Sequence, residues 1–150
     1  MKWLSLSLIC LLLAACAAQP QQGLPLPGEE ADKTVLPDRG TSRAVLSLLD
    51  QAREATLAGD YQRAEVLLER TVRIEPRNAS LWNYLAKLRL QQGRYQEAIG
   101  LATKSNNLGR ENKTLLADNW RIVAHAKYQL GDYTGAEKAQ NKANEIRNDN

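Results

Sequence analysis

The chain has 150 residues, of which 43% are hydrophobic and 25% are charged, and its formal net charge is +3 at pH 7. This composition is typical of a single globular domain, and the positive excess is too small to indicate nucleic-acid binding. With two cysteines and one histidine, the chain shows no metal-ligand cluster and no catalytic triad. We therefore expect no enzyme activity, no metal and no cofactor.

Residues 1–15 have the features of a cleavable signal peptide. Lys2 provides the positive charge, and residues 4–13 form an apolar run that is too short to span a bilayer comfortably. The run ends in Leu-Ala-Ala-Cys at Cys16, which resembles the lipobox of bacterial lipoproteins. The resemblance implies that the peptide is cut before Cys16 and that this cysteine carries acyl chains such as palmitate. An ordinary secreted protein and an uncleaved anchor are the alternatives.

Lipidation of Cys16 would leave the mature chain without a free thiol, because Cys10 leaves with the signal peptide. Several acyl chains hold a protein stably at a membrane surface without spanning it. Ala17 follows the cysteine in place of the Asp that marks inner-membrane retention in the lipoprotein family. By this resemblance we expect the protein on the periplasmic face of the outer membrane, with the inner membrane as the alternative.

Residues 16–40 are predicted to form the lipidated end and a tether. Four of the five prolines of the chain lie here, among Gln, Gly and acidic residues. Such a stretch cannot bury enough apolar surface to offset the entropy of ordering, so disorder with polyproline character is expected. Its few apolar residues, such as Leu24 and Leu36, give the alternative of docking on the domain.

The rest of the chain contains one short pattern three times, Gly-polar-Tyr-x-x-Ala. The copies are Gly59–Ala64, Gly93–Ala98 and Gly131–Ala136, and their glycines are 34 and then 38 positions apart. A period of this length indicates stacked supersecondary units. The glycine suits a left-handed residue after a helix, and the polar residue suits an N-cap when it is Asp. We expect the tyrosine to fill the angle between two helices and the alanine to permit their close approach.

Six antiparallel helices are predicted from these patterns. Their expected limits are 42–57, 60–74, 78–92, 94–106, 112–130 and 132–147. Thr41 or Ser42 is a suitable N-cap for the first helix, and Asp60 and Asn78 are suitable for the second and third. The fifth helix is expected to absorb the four extra residues of the longer spacing, about one additional turn.

The repeat resembles the tetratricopeptide repeat, with units at 45–78, 79–112 and 117–150 and a domain at 41–150. Trp82 and Trp120 match the early tryptophan of the family, whereas Leu48 takes its place in the first unit. The resemblance implies an all-α, helical-hairpin solenoid of three repeats. Arg89 departs from the family because it stands where a tyrosine is common, and Gly100 and Gly135 lie inside predicted helices, where a glycine costs about 1 kcal/mol against alanine. We expect Arg89 to snorkel, to pair with a carboxylate or to reach a ligand, and Gly100 to serve close packing.

The resemblance also implies a concave face, lined by the first helix of each unit, that binds an extended protein segment. Carrying the family positions over gives a larger set of groove-lining residues, Asp118 among them, and six of the set form the candidate partner-binding groove. These are Arg53, Asn83, Lys87, Arg121, His125 and Tyr128. For any one of them an ordinary solvated role is the alternative. Leu49 and Arg53 occupy the positions where the carboxylate-clamp members of the family have Lys and Asn, so recognition of an acidic C-terminus is not implied.

Lipobox, short Pro-rich tether and few repeats together resemble the LpoP-type lipoproteins, which activate peptidoglycan synthases. The function this implies is a non-catalytic periplasmic adaptor that regulates an envelope enzyme, most plainly a class A penicillin-binding protein. The expected partners are a periplasmic protein and, through the lipids, the membrane, with no nucleic acid and no small-molecule substrate. The alternative is a pilotin-like assembly factor for a secretin or another envelope complex, although pilotins of this type have about twice as many repeats.

Overall fold

The structure, a computed structural model, describes residues 36–149. The predicted signal peptide, Cys16 and most of the predicted tether lie outside the described residues. Within them there are six α-helices and no strand. The helices are α1 Arg43–Leu57, α2 Tyr61–Ile74, α3 Ala79–Gln91, α4 Tyr95–Leu108, α5 Lys113–Gln129 and α6 Tyr133–Asn148.

The helices pack as three hairpins, α1 with α2, α3 with α4, and α5 with α6. The hairpins stack because α3 lies against α2, and α5 lies against α4 and α3. The predicted fold class is therefore confirmed, and the limits of the helices agree with those expected to within two residues. None of the helices between residues 36 and 149 is long and apolar enough to cross a membrane.

The repeated glycines end the first helix of each hairpin in the way the pattern predicts. Gly59, Gly93 and Gly131 have φ of +75°, +73° and +81°. At the first of them, the N–H of Asp60 donates to the Ala55 carbonyl over 2.9 Å, and the same bond recurs after α3 and α5. This Schellman-type C-terminus provides donors for carbonyl groups at the end of the helix that would otherwise lack them. It also sets the sharp turn of each hairpin.

The tyrosines of the pattern are less buried than expected for rings that fill the angle between two helices. Tyr61 and Tyr133 are 38% and 59% exposed, and Tyr95 is only half-buried. The alanine three residues after each tyrosine is buried. Tyr95 still packs against the core cluster that contains Ala98, and the Tyr133 ring meets the Tyr128 ring of α5 at 5.2 Å, so these two rings contact the packed helices while they remain partly exposed.

Helix α3 receives its N-terminal cap from an unexpected residue. Asn78 lies at the N-cap position, but its side chain makes no capping bond and instead donates to Thr41 Oγ1 and Glu75 Oε2. The carboxylate of Asp38 accepts the N–H of Ala79 over 2.9 Å. Asp38 belongs to the predicted tether, so this end of the tether contacts the domain.

The extra residues of the third unit lengthen α5, as expected. Helix α5 has 17 residues against 13 in α3, while the turns before the two helices, 75–78 and 109–112, have equal lengths. Trp82 is the fourth residue of α3, and Trp120 is the eighth of α5. The added turn therefore lies at the N-terminal end of α5, where Leu115 is fully buried against Ala79.

Candidate functional site

Five side chains of α3 and α5 form what we call the polar face: Asn83, Lys87, Asp118, Arg121 and His125. Asn83 and Lys87 are four residues apart on α3, and Asp118, Arg121 and His125 follow one another at intervals of three and four on α5. These intervals place side chains on one side of a helix. Packing of α5 against α3 brings the two sets together.

Asp118 is the centre of this polar face and is fully buried. Its Oδ2 accepts from Asn83 Nδ2 at 2.8 Å and lies 3.2 Å from Lys87 Nζ, and its Oδ1 accepts from Arg121 over 3.2 Å. One carboxylate thus faces two cations, which leaves the group with one excess positive charge. A buried carboxylate is stable only with such partners, so Asp118 joins α3 to α5.

A second set of hydrogen bonds, made by uncharged side chains, extends the contact between α3 and α5 to α4. Asn83 Nδ2 also donates to Asn119 Oδ1 over 2.8 Å, and Asn119 Nδ2 donates to Ser105 Oγ over 2.8 Å. Ser105 Oγ in turn donates to the Ala79 carbonyl on α3. All of these groups are buried, so the chain of bonds ties α3, α4 and α5 into one rigid unit.

Four buried polar atoms of the polar face have no hydrogen-bond partner among the described residues. They are Asn83 Oδ1, Lys87 Nζ, Arg121 Nε and His125 Nδ1. Lys87 Nζ keeps its ion pair with Asp118 and lies 6.0 Å from the centre of the Tyr84 ring. Buried polar groups without partners are costly. A polar ligand that reached them would gain more here than on a solvated helix surface.

His125 contributes hydrogen-bonding capacity to this face, not charge. Its burial lowers the pKa of the imidazole below the usual value, so the ring is neutral at pH 7. Its Nε2 lies 3.4 Å from the side-chain nitrogen of Gln129. Arg121 is the member that solvent reaches best, with 30% of its side chain exposed.

The structure thus brings together four of the six residues predicted for the groove, on α3 and α5, and sets the other two apart. Arg53 is exposed on α1, where it lies 3.4 Å from Asp50. Tyr128 lies nearer the C-terminal end of α5 and meets the Tyr133 ring edge to face at 5.2 Å. Asp118, the centre of the polar face, occupies one of the groove-lining positions implied by the family, but it was not among the six residues selected as binding residues. A single acid on a helix face that otherwise carries bases was the available signal.

A cleft of about 540 Å³ opens on the other side of α3, between α2 and α4. Val72, Leu85, Leu101 and Trp82 provide its apolar walls, and Arg89, Glu69 and Glu97 its polar ones. A Cβ at Gly100, which also lines it, would meet nothing within 4 Å. Gly100 therefore opens the cleft, and the expectation that it serves close packing is wrong.

Arg89 is buried beneath this cleft and pairs with carboxylates, the second of its three expected roles. Its guanidinium lies 2.7 Å from Glu65, 3.1 Å from Glu69 and 3.3 Å from Glu97. Hydrogen bonds from Gln92, then from Arg89 and Arg94, lower the pKa of Glu65 to about 2, although burial opposes the shift. The arginine that replaces the family tyrosine thus fastens α3 to both α2 and α4.

No group of three or more His, Cys, Asp or Glu residues between 36 and 149 is arranged to hold a metal ion. The polar face provides hydrogen-bonding groups and one excess positive charge, and the opposite side of α3 provides an apolar cleft. Such surfaces recognise other molecules by shape and charge.

Comparisons with known proteins agree with this picture. The tetratricopeptide repeat family profile matches residues 55–112. The globular C-terminal domain of LpoP from P. aeruginosa is 33% identical to the chain with a TM-score of 0.67, and the alignment covers 69% of the chain and 97% of that domain. The N-terminal domain of stress-induced protein-1 (STI-1) from C. elegans, 18% identical with a TM-score of 0.65 over 73% and 88% of the two chains, shares the fold. No curated protein matches the sequence.

Proposed function

Because the chain belongs to the tetratricopeptide repeat family and carries an LpoP-like domain, we propose that it is an adaptor that binds and activates a peptidoglycan synthase. The synthase would be a class A penicillin-binding protein, the partner implied by the resemblance to LpoP-type activators. The observation that supports this most is the 33% identity over 97% of the LpoP domain. An activator of this kind does no chemistry and needs only a rigid surface that a partner can bind.

The anchor belongs to the same proposal. Lipids on Cys16 hold the chain on the periplasmic face of the outer membrane, and residues 17–40 separate the membrane from the domain at 41–150. As a coil, a tether of 24 residues spans roughly 25–30 Å. The domain therefore works in the periplasm and meets a synthase that reaches outward through the cell wall.

We place the partner on the concave face formed by α1, α3 and α5. Arg121 and Tyr128 offer partly exposed side chains there, and Arg53 is exposed on the neighbouring helix α1. Asn83, Lys87 and His125 are buried, and they form the packed surface beneath Arg121. An extended segment of the synthase that carries carboxylate and backbone acceptor groups fits this surface, because the surface has an excess positive charge and unpaired donors.

The test is glycan polymerisation by a purified class A synthase to which residues 36–150 are added. We expect a higher rate and a saturable dose dependence. The double variant Arg121→Gln, Tyr128→Ala should raise the half-maximal concentration about tenfold, the effect of losing roughly 1.4 kcal/mol of binding energy. Lys138→Gln on the exposed face of α6 is the matched control and should act like the unchanged chain.

Two results would contradict parts of the proposal. An unchanged polymerisation rate, with no binding of the synthase in a pulldown, removes the synthase as partner. Full activation by the double variant together with loss of activation by Lys138→Gln moves the binding surface from the concave face to α6.

A further inference from the structure

The described chain begins beside the N-terminal end of α3, close to the polar face. The Ser80 hydroxyl on α3 lies 2.6 Å from Asp38 Oδ1 and 2.9 Å from the Leu36 carbonyl oxygen, two acceptors for its one proton. The other oxygen of Asp38 accepts the N–H of Ala79. The side chain of Leu36 is 72% exposed, so α3 holds this segment by its backbone and its carboxylate.

Ser80 shares one side of α3 with two members of the polar face. Asn83 and Lys87 follow it at intervals of three and seven residues, which on a helix point in nearly the same direction. The chain therefore leaves the domain at one end of the surface to which the proposed function assigns the partner. Residues that precede Leu36 start beside that surface.

The preceding residues carry the complementary charge. The stretch 29–35 has a net charge of −2, because it contains three acidic residues, Glu29, Glu30 and Asp32, and one basic residue, Lys33. The polar face has two cations, Lys87 and Arg121, against the single Asp118, a net charge of +1. Opposite charges held on one chain at short range attract at a high effective concentration.

The lengths also agree. Lys87 is about 10 Å along α3 from Ser80 at 1.5 Å per residue. From Leu36 an extended chain reaches about 13 Å at Asp32 and about 20 Å at Glu30. The stretch can thus extend past Lys87, whose ammonium group is buried, and bring its carboxylates to the partly exposed Arg121 without moving the contacts of Asp38.

We propose that the acidic stretch Glu29–Asp32 of this chain docks on the polar face and must leave before a partner segment can bind there. The competition with a partner rests on the proposed function, whereas the docking does not. Asp38 and Leu36 act as the fixed end of the docked stretch, and Arg121, the most exposed cation of the face, is its main contact. The lipid-anchored chain would then be self-occluded until a partner displaces its own segment.

The docking is tested by a spin label at Ala31→Cys in the mature chain with Cys16→Ser, which has no other thiol. We expect the label to broaden the backbone amide signals around Lys87 and Arg121 much more than those of α6. The triple variant Glu29→Gln, Glu30→Gln, Asp32→Asn with the same label is the matched control. It should reduce the broadening at least threefold, and 0.5 M NaCl should do the same, because salt at that concentration screens charges beyond about 4 Å.

Equal broadening of α6 and the polar face, or broadening that survives neutralisation and salt, overturns the docking. The second measurement compares synthase affinity of residues 16–150, with Cys16→Ser, and residues 36–150. We expect the shorter chain to bind severalfold more tightly. If the label broadens the signals of the polar face but neither chain binds the synthase, the docking is supported and the proposed function is contradicted. Synthase binding with equal affinity by both chains removes the competition.

Discussion

The carboxylate of Asp118 on α5 lies 3.2 Å from the ammonium group of Lys87 on α3, and Asp118 is fully buried. Asp118→Asn keeps the size of the side chain but leaves Lys87 and Arg121 together without their counter-charge. Removing one partner of a buried ion pair typically costs on the order of 3 kcal/mol. Urea denaturation of residues 36–150 should show this loss as a lower midpoint with an unchanged slope.

The double variant Lys87→Met, Asp118→Asn checks the cause. It also removes the more buried of the two positive charges that the first change leaves unpaired, so it should lose less stability than Asp118→Asn alone. A double variant whose loss equals the sum of the two single losses would show that the charges are not coupled.

Substitution by alanine should change the stability of the domain in opposite directions at Gly100, within α4, and at Gly109, at the C-terminal end of α4. Gly100→Ala adds a methyl group into open space within a helix and should stabilise the domain by about 1 kcal/mol. At Gly109 the new Cβ would lie 2.6 Å from Leu115 Cδ2 and 2.9 Å from Ala79 Cβ, so Gly109→Ala should lower the melting temperature. Thermal denaturation of both variants side by side measures this. If Gly109→Ala instead stabilises the domain, the Leu115 side chain in the added turn of α5 can move aside at little cost.

Asp38 should contribute to stability although it lies in the predicted tether. Asp38→Ala removes the acceptor for the Ala79 N–H at the start of α3, and the loss of such a cap costs about 1 kcal/mol. Asp38→Asn keeps one acceptor oxygen and should lose less, while Arg39→Ala, at an exposed neighbour, should change nothing. If Asp38→Ala unfolds at the same urea concentration as the unchanged chain, α3 does not depend on this cap.

Acid should weaken the domain through Glu65. Its folded pKa of about 2 lies below the usual 4.5, chiefly because the Gln92 amide and the Arg89 guanidinium bind its charged form. The stabilisation is therefore complete above pH 4.5 and is lost as the pH falls from 4.5 towards 2. We expect about 2 kcal/mol from this residue. In urea denaturation at stepped pH, Glu65→Gln should start less stable and fall less across this range. An equally steep fall would assign the acid sensitivity to other carboxylates.

The fold followed from the sequence because its determinants are local. A left-handed glycine, a capping aspartate directly before the first residue of a helix, and the spacing of apolar residues each act within a few residues. Gly59 with Asp60, and Gly131 with Asp132, show this at both ends of the stack. Even the added turn of α5 could be located by comparing two spacings.

The contacts of charged groups were much harder to predict, because they join helices that are far apart in sequence. The groove positions of the family placed Asn83, Lys87 and Asp118 on one face, but they did not show that Asp118, 35 and 31 residues after the other two, would bind both. Similarly, Arg89 collects carboxylates from α2 and α4. The residues that looked most available for a partner are partly engaged within the domain, and Arg121 remains the most accessible of the polar face.

The four residues added at the start of α5 also explain why the third unit could grow without disturbing the stack. Each added helical residue turns the helix end by about 100°, so four residues bring the start of α5 back to within about 40° of its original azimuth. The turn 109–112 therefore still arrives from α4 on nearly the same side. Two residues would point it about 200° away, towards solvent or into the neighbouring hairpin. An insertion at the start of such a helix therefore preserves the stacking most easily when its length is close to a whole number of helical turns.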